Sequence, residues 1–203
     1  MRTTIPGWLT VFGLLPGLAG GQELTYDWVE LQYVDTEIEA SGPGGDVDID
    51  GDGFAVAGSF SLTESFQVIG SYSDLDFDFD VDATAFSIGG GYRYGIGEQT
   101  DLVASLSYVS GEVDTGFGDA DDDGFALAAG LRSFVHDRVE LEGGVAYVDL
   151  DESGDETSIF GEGRYWLNDE FAVGAGLDLG DDTTTFVISG RYSFGANLGR
   201  PTR

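Results

Sequence analysis

Large apolar residues fall on every second position along most of this chain, and small or polar residues fill the positions between them. In Thr84–Tyr94 one face reads Phe86, Ile88, Gly90, Tyr92 and Tyr94. The other reads Ala85, Ser87, Gly89, Gly91 and Arg93. A period of two is the signature of a β-strand, whose successive side chains leave opposite faces. A chain built of such segments must bury one face and expose the other. The composition of the two faces decides which solvent each one meets.

Ten segments carry the pattern: Leu24–Val34, Gly53–Leu62, Phe66–Ser73, Thr84–Tyr94, Asp101–Ser110, Gly124–Val135, Val139–Val148, Thr157–Leu167, Phe171–Leu179 and Thr183–Phe194. Most approach the roughly 9–11 residues that a tilted strand needs to cross a bilayer. An even number lets an antiparallel barrel close with both termini at one end, and eight strands is the alternative count. The connections alternate in kind. Thr63–Ser65, Gly95–Thr100, His136–Arg138 and Asn168–Glu170 are short; Asp35–Asp52, Asp74–Asp82, Gly111–Asp123, Asp149–Glu156 and the tight Gly180–Asp182 are acidic. Of the 38 acidic residues 25 fall in the second set, which holds no Arg. Short periplasmic turns facing acidic extracellular loops are the arrangement expected of an outer-membrane barrel.

The faces agree. A soluble sandwich would set charged and polar residues opposite its bulky core face. Here that face offers Ala55, Ala57, Ser59, Ser61, Ala126, Ala128, Gly130, Ala172, Gly174 and Gly176, which suit a narrow barrel interior. The bulky face is banded. Tyr33, Phe54, Tyr72, Phe86, Tyr108, Phe125, Tyr147 and Phe186 lie toward the acidic loops, and Phe60, Phe66, Tyr92, Tyr94, Tyr165, Phe171, Tyr192 and Phe194 toward the short turns. Two aromatic girdles around an aliphatic belt are the mark of a lipid-facing surface. A soluble exported β-sandwich is the reading this disfavours.

Composition sets the remaining limits. The net charge of −30 excludes phosphate-directed binding of nucleic acid. There is no Cys, and no run reaches the ~18 consecutive apolar residues of a membrane helix. Residues 1–21 have the outline of a signal peptide, with Arg2, an apolar stretch and the small residues Ala19-Gly20-Gly21. The expected organisation is therefore a signal at 1–21, a barrel at 22–194 and a short periplasmic tail at 195–203. The expected location is the outer membrane of a Gram-negative bacterium, reached by export through the periplasm.

The closing run Phe186-Val187-Ile188-Ser189-Gly190-Arg191-Tyr192-Ser193-Phe194 resembles the terminal strand of outer-membrane proteins, whose alternating aromatic end is read by the barrel-insertion machinery. The chain continues for a further stretch, Gly195 to Arg203, where that family stops at the aromatic. The whole of 22–194 is similar to small barrels of the OmpA/OmpX type in the porin superfamily. The opening Leu24-Thr25-Tyr26-Asp27-Trp28-Val29-Glu30-Leu31-Gln32-Tyr33 resembles a subgroup of short barrels. The resemblance implies an architecture, outer-membrane lipid and lipopolysaccharide as neighbours, and no particular activity.

The inward face carries charges at one level. Arg93, Arg132, Arg164 and Arg191 each lie near the short-turn end of a strand, and Glu140 and Glu142 begin the strand between those of Arg132 and Arg164. Glu30 and Glu162 share the face, and Glu30 approaches Arg191 once the barrel closes. Charges in so narrow a lumen must pair, and the planar fork of Arg bridges two carboxylates well. The expectation is an internal salt-bridge network that plugs the lumen and fixes register. A selectivity ring in a narrow cation-favouring pore is the alternative.

Three further signals bear on metal binding, partners and catalysis. Asp46-Val47-Asp48-Ile49-Asp50-Gly51 and Asp119-Ala120-Asp121-Asp122-Asp123-Gly124 begin like calcium loops, but the twelfth positions are Ala57 and Gly130 where an EF-hand needs Glu. Weak divalent-cation binding by the acidic loops is the most they imply; no cofactor or dedicated metal site is expected. The strip Leu75–Asp82 alternates apolar with Asp, and its Leu75, Phe77, Phe79 and Val81 are expected to pack near Val47 and Ile49. The single His136 lies in a short turn, away from the extracellular side, so no catalytic constellation is expected. The chain reads as a non-enzymatic barrel with a structural or surface-interaction role, its acidic loops open to an extracellular partner.

Overall fold

β1 (Trp28–Gly42) pairs with β10 (Thr183–Ser193) and so closes a ring of antiparallel strands in a computed structural model. Between them run β2 (Gly45–Ser61), β3 (Phe66–Phe77), β4 (Val81–Gly95), β5 (Thr100–Asp114), β6 (Asp119–His136), β7 (Val139–Leu150), β8 (Gly154–Trp166) and β9 (Phe171–Leu179). Each strand is hydrogen-bonded to its sequence neighbours, and the order around the barrel is unbroken. The strand count is ten, not eight. The structure describes residues 26–42, 45–78, 81–97, 99–115 and 118–194, with side chains omitted at 40–42 and 45–47. The expected signal at 1–21 and tail at 195–203 lie outside the described residues, as do Phe79 and the side chains of Asp46 and Val47.

The bulky face points outward. Phe54 is 61% exposed and Ile159 64%, whereas the inward Glu30 and Glu140 are both at 0%. Both aromatic bands lie on the outer surface, where Tyr33 meets Phe54 and Phe125 meets Tyr147 near the acidic end. Phe66 packs with Tyr92, and Phe171 with Tyr192, near the short turns.

The strands differ from the sequence reading at the acidic end. Most of Asp35–Asp52 is not loop: β1 runs to Gly42 and β2 starts at Gly45, with Asp35 facing Asp52 and Ile38 facing Ile49. β6 likewise begins at Asp119. The period of two never breaks in these segments; only its chemistry inverts. Below the aromatic band the apolar residue points out. Above it Asp35, Asp52, Asp76, Asp82 and Asp114 point out while Ile38, Leu75, Phe77 and Val113 point in; Asp122 is an exception that turns inward.

One consequence is a circumferential row of aspartates on the outer wall. Asp35 faces Asp52, which faces Asp76; Asp76 faces Asp82, Asp82 faces Asp114, and Asp114 faces Asp119. Like charges directly opposite one another destabilise a ladder, though water screens such exposed groups strongly. The inner face offsets this. Val34, Ile38, Leu75, Phe77, Val113 and Val187 form a buried cluster with Ala55 and Ala83, and Ile49, Val81 and Ala120 pack against it. Burying one such large side chain contributes roughly 1.5–3 kcal/mol, so the apolar interior wins. Leu75, Phe77 and Val81 of that strip thus pack inside the barrel end, in one cluster with Ile49.

Candidate functional site

The lumen below that cluster is occupied by charge. Strand alternation brings Glu30 of β1, Arg132 of β6, Glu140 and Glu142 of β7, Glu162 and Arg164 of β8, and Arg191 of β10 onto the inner face near the short-turn end. Arg164 is the hub. Its Nη1 lies 2.9 Å from Glu140 Oε1 and 2.7 Å from Glu142 Oε2, its Nη2 contacts Glu162, and its Nε lies 3.4 Å from Glu30 Oε2. Arg132 Nε meets Glu140 Oε1 at 2.5 Å and Glu142 Oε2 at 3.8 Å. Arg191 Nε donates to Glu30 Oε2 at 2.6 Å across the closing seam.

Neutral donors complete the shell. Trp166 Nε1 donates to Glu140 Oε2 at 3.0 Å, Gln32 Nε2 to Glu30 Oε1 at 2.8 Å, and Ser189 Oγ to Glu162 Oε1 at 3.0 Å. A buried ion pair is tolerable only when its remaining lone pairs are met in this way. Space is reserved as well. A Cβ on Gly174 would stand 2.6 Å from Ser189 Oγ, 2.9 Å from Glu162 Oε1 and 3.0 Å from Arg164 Cγ. Beneath the cluster Phe134, Trp166 and Ala172 form an apolar floor, and the Trp28 ring lies 4.0 Å under the Arg191 guanidinium.

Arg93 is not brought into this cluster. Its guanidinium covers the Tyr26 ring at 3.2 Å, its Nη2 donates to Thr63 O at 3.3 Å and its Nε to Glu64 O. Tyr26 in turn donates its hydroxyl to Asp101 Oδ2 at 2.7 Å. These contacts fold the segment before β1 into the short-turn mouth, where the Asp27 carboxylate also accepts from Ser61 N at 2.7 Å. Stagger explains the separation: Arg93 faces Val103, which faces Gly130, which faces Gly144, so no carboxylate shares its row on those strands.

Sequence reasoning missed the inward aromatics. Trp28, Phe134, Phe160 and Trp166 all point into the lumen, with Phe160 reaching over Gly144. Counting by twos back from Arg164 would have found Phe160, and counting forward would have found Trp166. At the acidic end Asp122 turns inward and accepts from the backbone N–H groups of Asp123, Glu152 and Ser153 at 2.9, 3.0 and 2.8 Å, tying down the β7–β8 turn. Burial alone would push its carboxyl up, but the Ser153 side chain and these three amides hold it below the usual carboxylate range. Asp48, Asp50, Asp119, Asp121 and Asp123 stand on extended strand, not in a calcium-type loop. Among the described residues no cluster of His, Cys, Asp or Glu is arranged to hold a metal ion. His136 is exposed at the short-turn end, beside a bulge in the β6–β7 pairing.

No family model and no curated protein matches the chain. Solved structures do match in fold. The β domain of the Bordetella autotransporter BrkA aligns with a TM-score of 0.52 at 11% identity, over 89% of this chain and all (100%) of that one. The KdgM porin aligns at 0.46 and 10% identity, over 82% and 99%. Ail, the attachment invasion locus protein of Yersinia pestis, aligns at 0.43 and 15% identity, over 83% and 97%. At these identities the likeness is one of fold. The chain is a closed, all-antiparallel ten-stranded barrel.

Proposed function

We propose that this barrel resides in the outer membrane with a sealed lumen, and serves a structural or surface-interaction role rather than a transport or catalytic one. The observation that carries the reading is the Arg164 hub, which joins four carboxylates across the interior. A ten-stranded barrel is close to the size whose side chains fill their own interior. Here the filling is charged at the short-turn end, and at the acidic end an apolar cluster fills one side of the lumen. The outward apolar belt between two aromatic bands supports the membrane setting. The short turns then face the periplasm, and the acidic strand extensions stand outside the cell.

In that setting the carboxylates meet the lipopolysaccharide zone, where hydrated divalent cations bridge them to its phosphates, and they are open to an extracellular partner. A narrow cation-favouring pore is the competing function, and the acidic rim is what favours it. Planar-bilayer recording of the purified full chain separates the two. The sealed-barrel reading expects no stable conductance steps in neutral buffer, and reproducible open channels would overturn it.

A further inference from the structure

The sealed-lumen reading accounts for the carboxylates but leaves a second set of buried polar groups unexplained. Trp28 on β1 faces Ser193 on β10 and Ser59 on β2, which makes one continuous row over three strands. Trp28 is 1% exposed, Ser193 0% and Ser59 4%. Trp28 Nε1, Ser193 Oγ and Ser59 Oγ have no hydrogen-bond partner among the described residues. Two neighbours extend the set. Gln67, on β3 beside Ser59's row, lacks a partner at both amide atoms, and Arg191 lacks one at Nη1 and Nη2. The Gln67 side chain lies over Gly91, where a Cβ would stand 2.5 Å from its Nε2.

Orphaned donors of this kind are rare in native proteins because each costs the desolvation of a polar group. Five residues in that condition on neighbouring inner-face positions point to a ligand, and their chemistry restricts it. Donors dominate: the indole N–H, the two Nη groups, two hydroxyls and an amide NH2, against one amide oxygen and the hydroxyl lone pairs. The ligand must therefore accept. The adjoining cluster already has four carboxylates against three guanidiniums, so an added anion would bring further negative charge into a buried site. Water accepts two hydrogen bonds, donates two and carries no charge.

We propose that the row Ser193, Trp28 and Ser59, with Gln67 diagonally beside Ser59 and the Arg191 guanidinium above it, binds a group of ordered internal waters. Each water would take two to four of these groups, as buried waters do. The barrel then holds a wet polar band at its short-turn end, closed off by the Tyr26 clasp. The band joins the seam strands through shared water instead of direct side-chain contact.

A high-resolution crystal structure of the full chain tests this directly. The expected result is ordered water within hydrogen-bond reach of Trp28 Nε1, Ser59 Oγ and the Arg191 Nη atoms. A dry band with these side chains repacked onto one another would overturn it. So would a bromide peak at Arg191 after a bromide soak, which would mark an anion site. Gln67→Leu gives a second measurement that needs no crystal. In a wet band the substitution strands its waters and lowers the midpoint of thermal unfolding. In a dry band it removes two unsatisfied groups and leaves the midpoint unchanged or raised, which contradicts the proposal. Neither readout depends on whether the barrel conducts, so this proposal and the sealed-lumen reading can fail separately.

Discussion

Arg191 and Glu30 stand 161 residues apart in sequence and meet at 2.6 Å across the pairing of the first and last strands. The barrel is therefore locked at its seam by a buried ion pair as well as by backbone hydrogen bonds. Arg164 lies 3.4 Å from the same carboxylate and ties the seam to the Glu140–Glu142 side of the lumen. Arg191→Met leaves Glu30 one guanidinium, whereas Arg164→Met strips all four carboxylates of their common partner. Breaking a buried pair from one side costs about 3–5 kcal/mol. The larger loss is expected for Arg164→Met, and Glu162→Gln in the same chain should recover part of it. The temperature at which the folded gel band disappears gives the order. An Arg164→Met barrel as heat-resistant as the parent would refute the hub.

Gly174 is the space the hub needs. Gly174→Val drives a side chain into Ser189, Glu162 and Arg164, and overpacking of this kind costs about 1–3 kcal/mol. Gly190→Ala, on the outer face with nothing within 4 Å of the new methyl, serves as the control and should be neutral. Equal effects from the two would show that the inner wall is not packed around the charges.

Asp76 and Asp82 face one another in the aspartate row, and the hydrogen bond they share is the first cause that raises the Asp82 carboxyl above its ordinary value. A carboxyl raised in the folded state binds its proton more tightly there than in the unfolded chain. Its stabilising contribution is full below the unfolded value of about 3.9 and is lost as pH rises through the folded one. Asp82→Asn should therefore slow amide exchange along Val81–Thr84 at neutral pH and have little effect in mild acid. Faster exchange at neutral pH would show that the row is not under like-charge repulsion.

Asp122 has the opposite sign. Its carboxyl is held below the usual range, so its contribution is present above about pH 3.9 and is lost as pH falls through the depressed value. At neutral pH Asp122→Ala should speed exchange of the amides of Glu152 and Ser153, which lose their acceptor. Unchanged protection at both amides would remove the staple.

The ten strands were legible because period-two alternation needs only local sequence, and the outward face was legible because bulky and small residues segregate so cleanly. The upper strand ends were not. Asp46-Val47-Asp48-Ile49-Asp50 reads as an acidic loop by composition, yet it continues the strand, and Ile49 turns in between the outward Asp48 and Asp50. Glu30 and Arg191 could be joined from sequence because closure forces the first strand onto the last. The height of each charge could not be read so directly, since it depends on the stagger accumulated around the barrel. That stagger gives Arg164 four partners and turns Arg93 to Tyr26 and the turn carbonyls.

The most direct test of the account is where the chain goes and how it runs. Expressed with its own N-terminus, it should be recovered in the outer-membrane fraction and migrate faster on a gel unheated than heated, as a closed lipid-facing barrel does. Recovery as a soluble periplasmic protein, with no heat-dependent shift, would contradict the outward placement of the apolar face on which everything else depends.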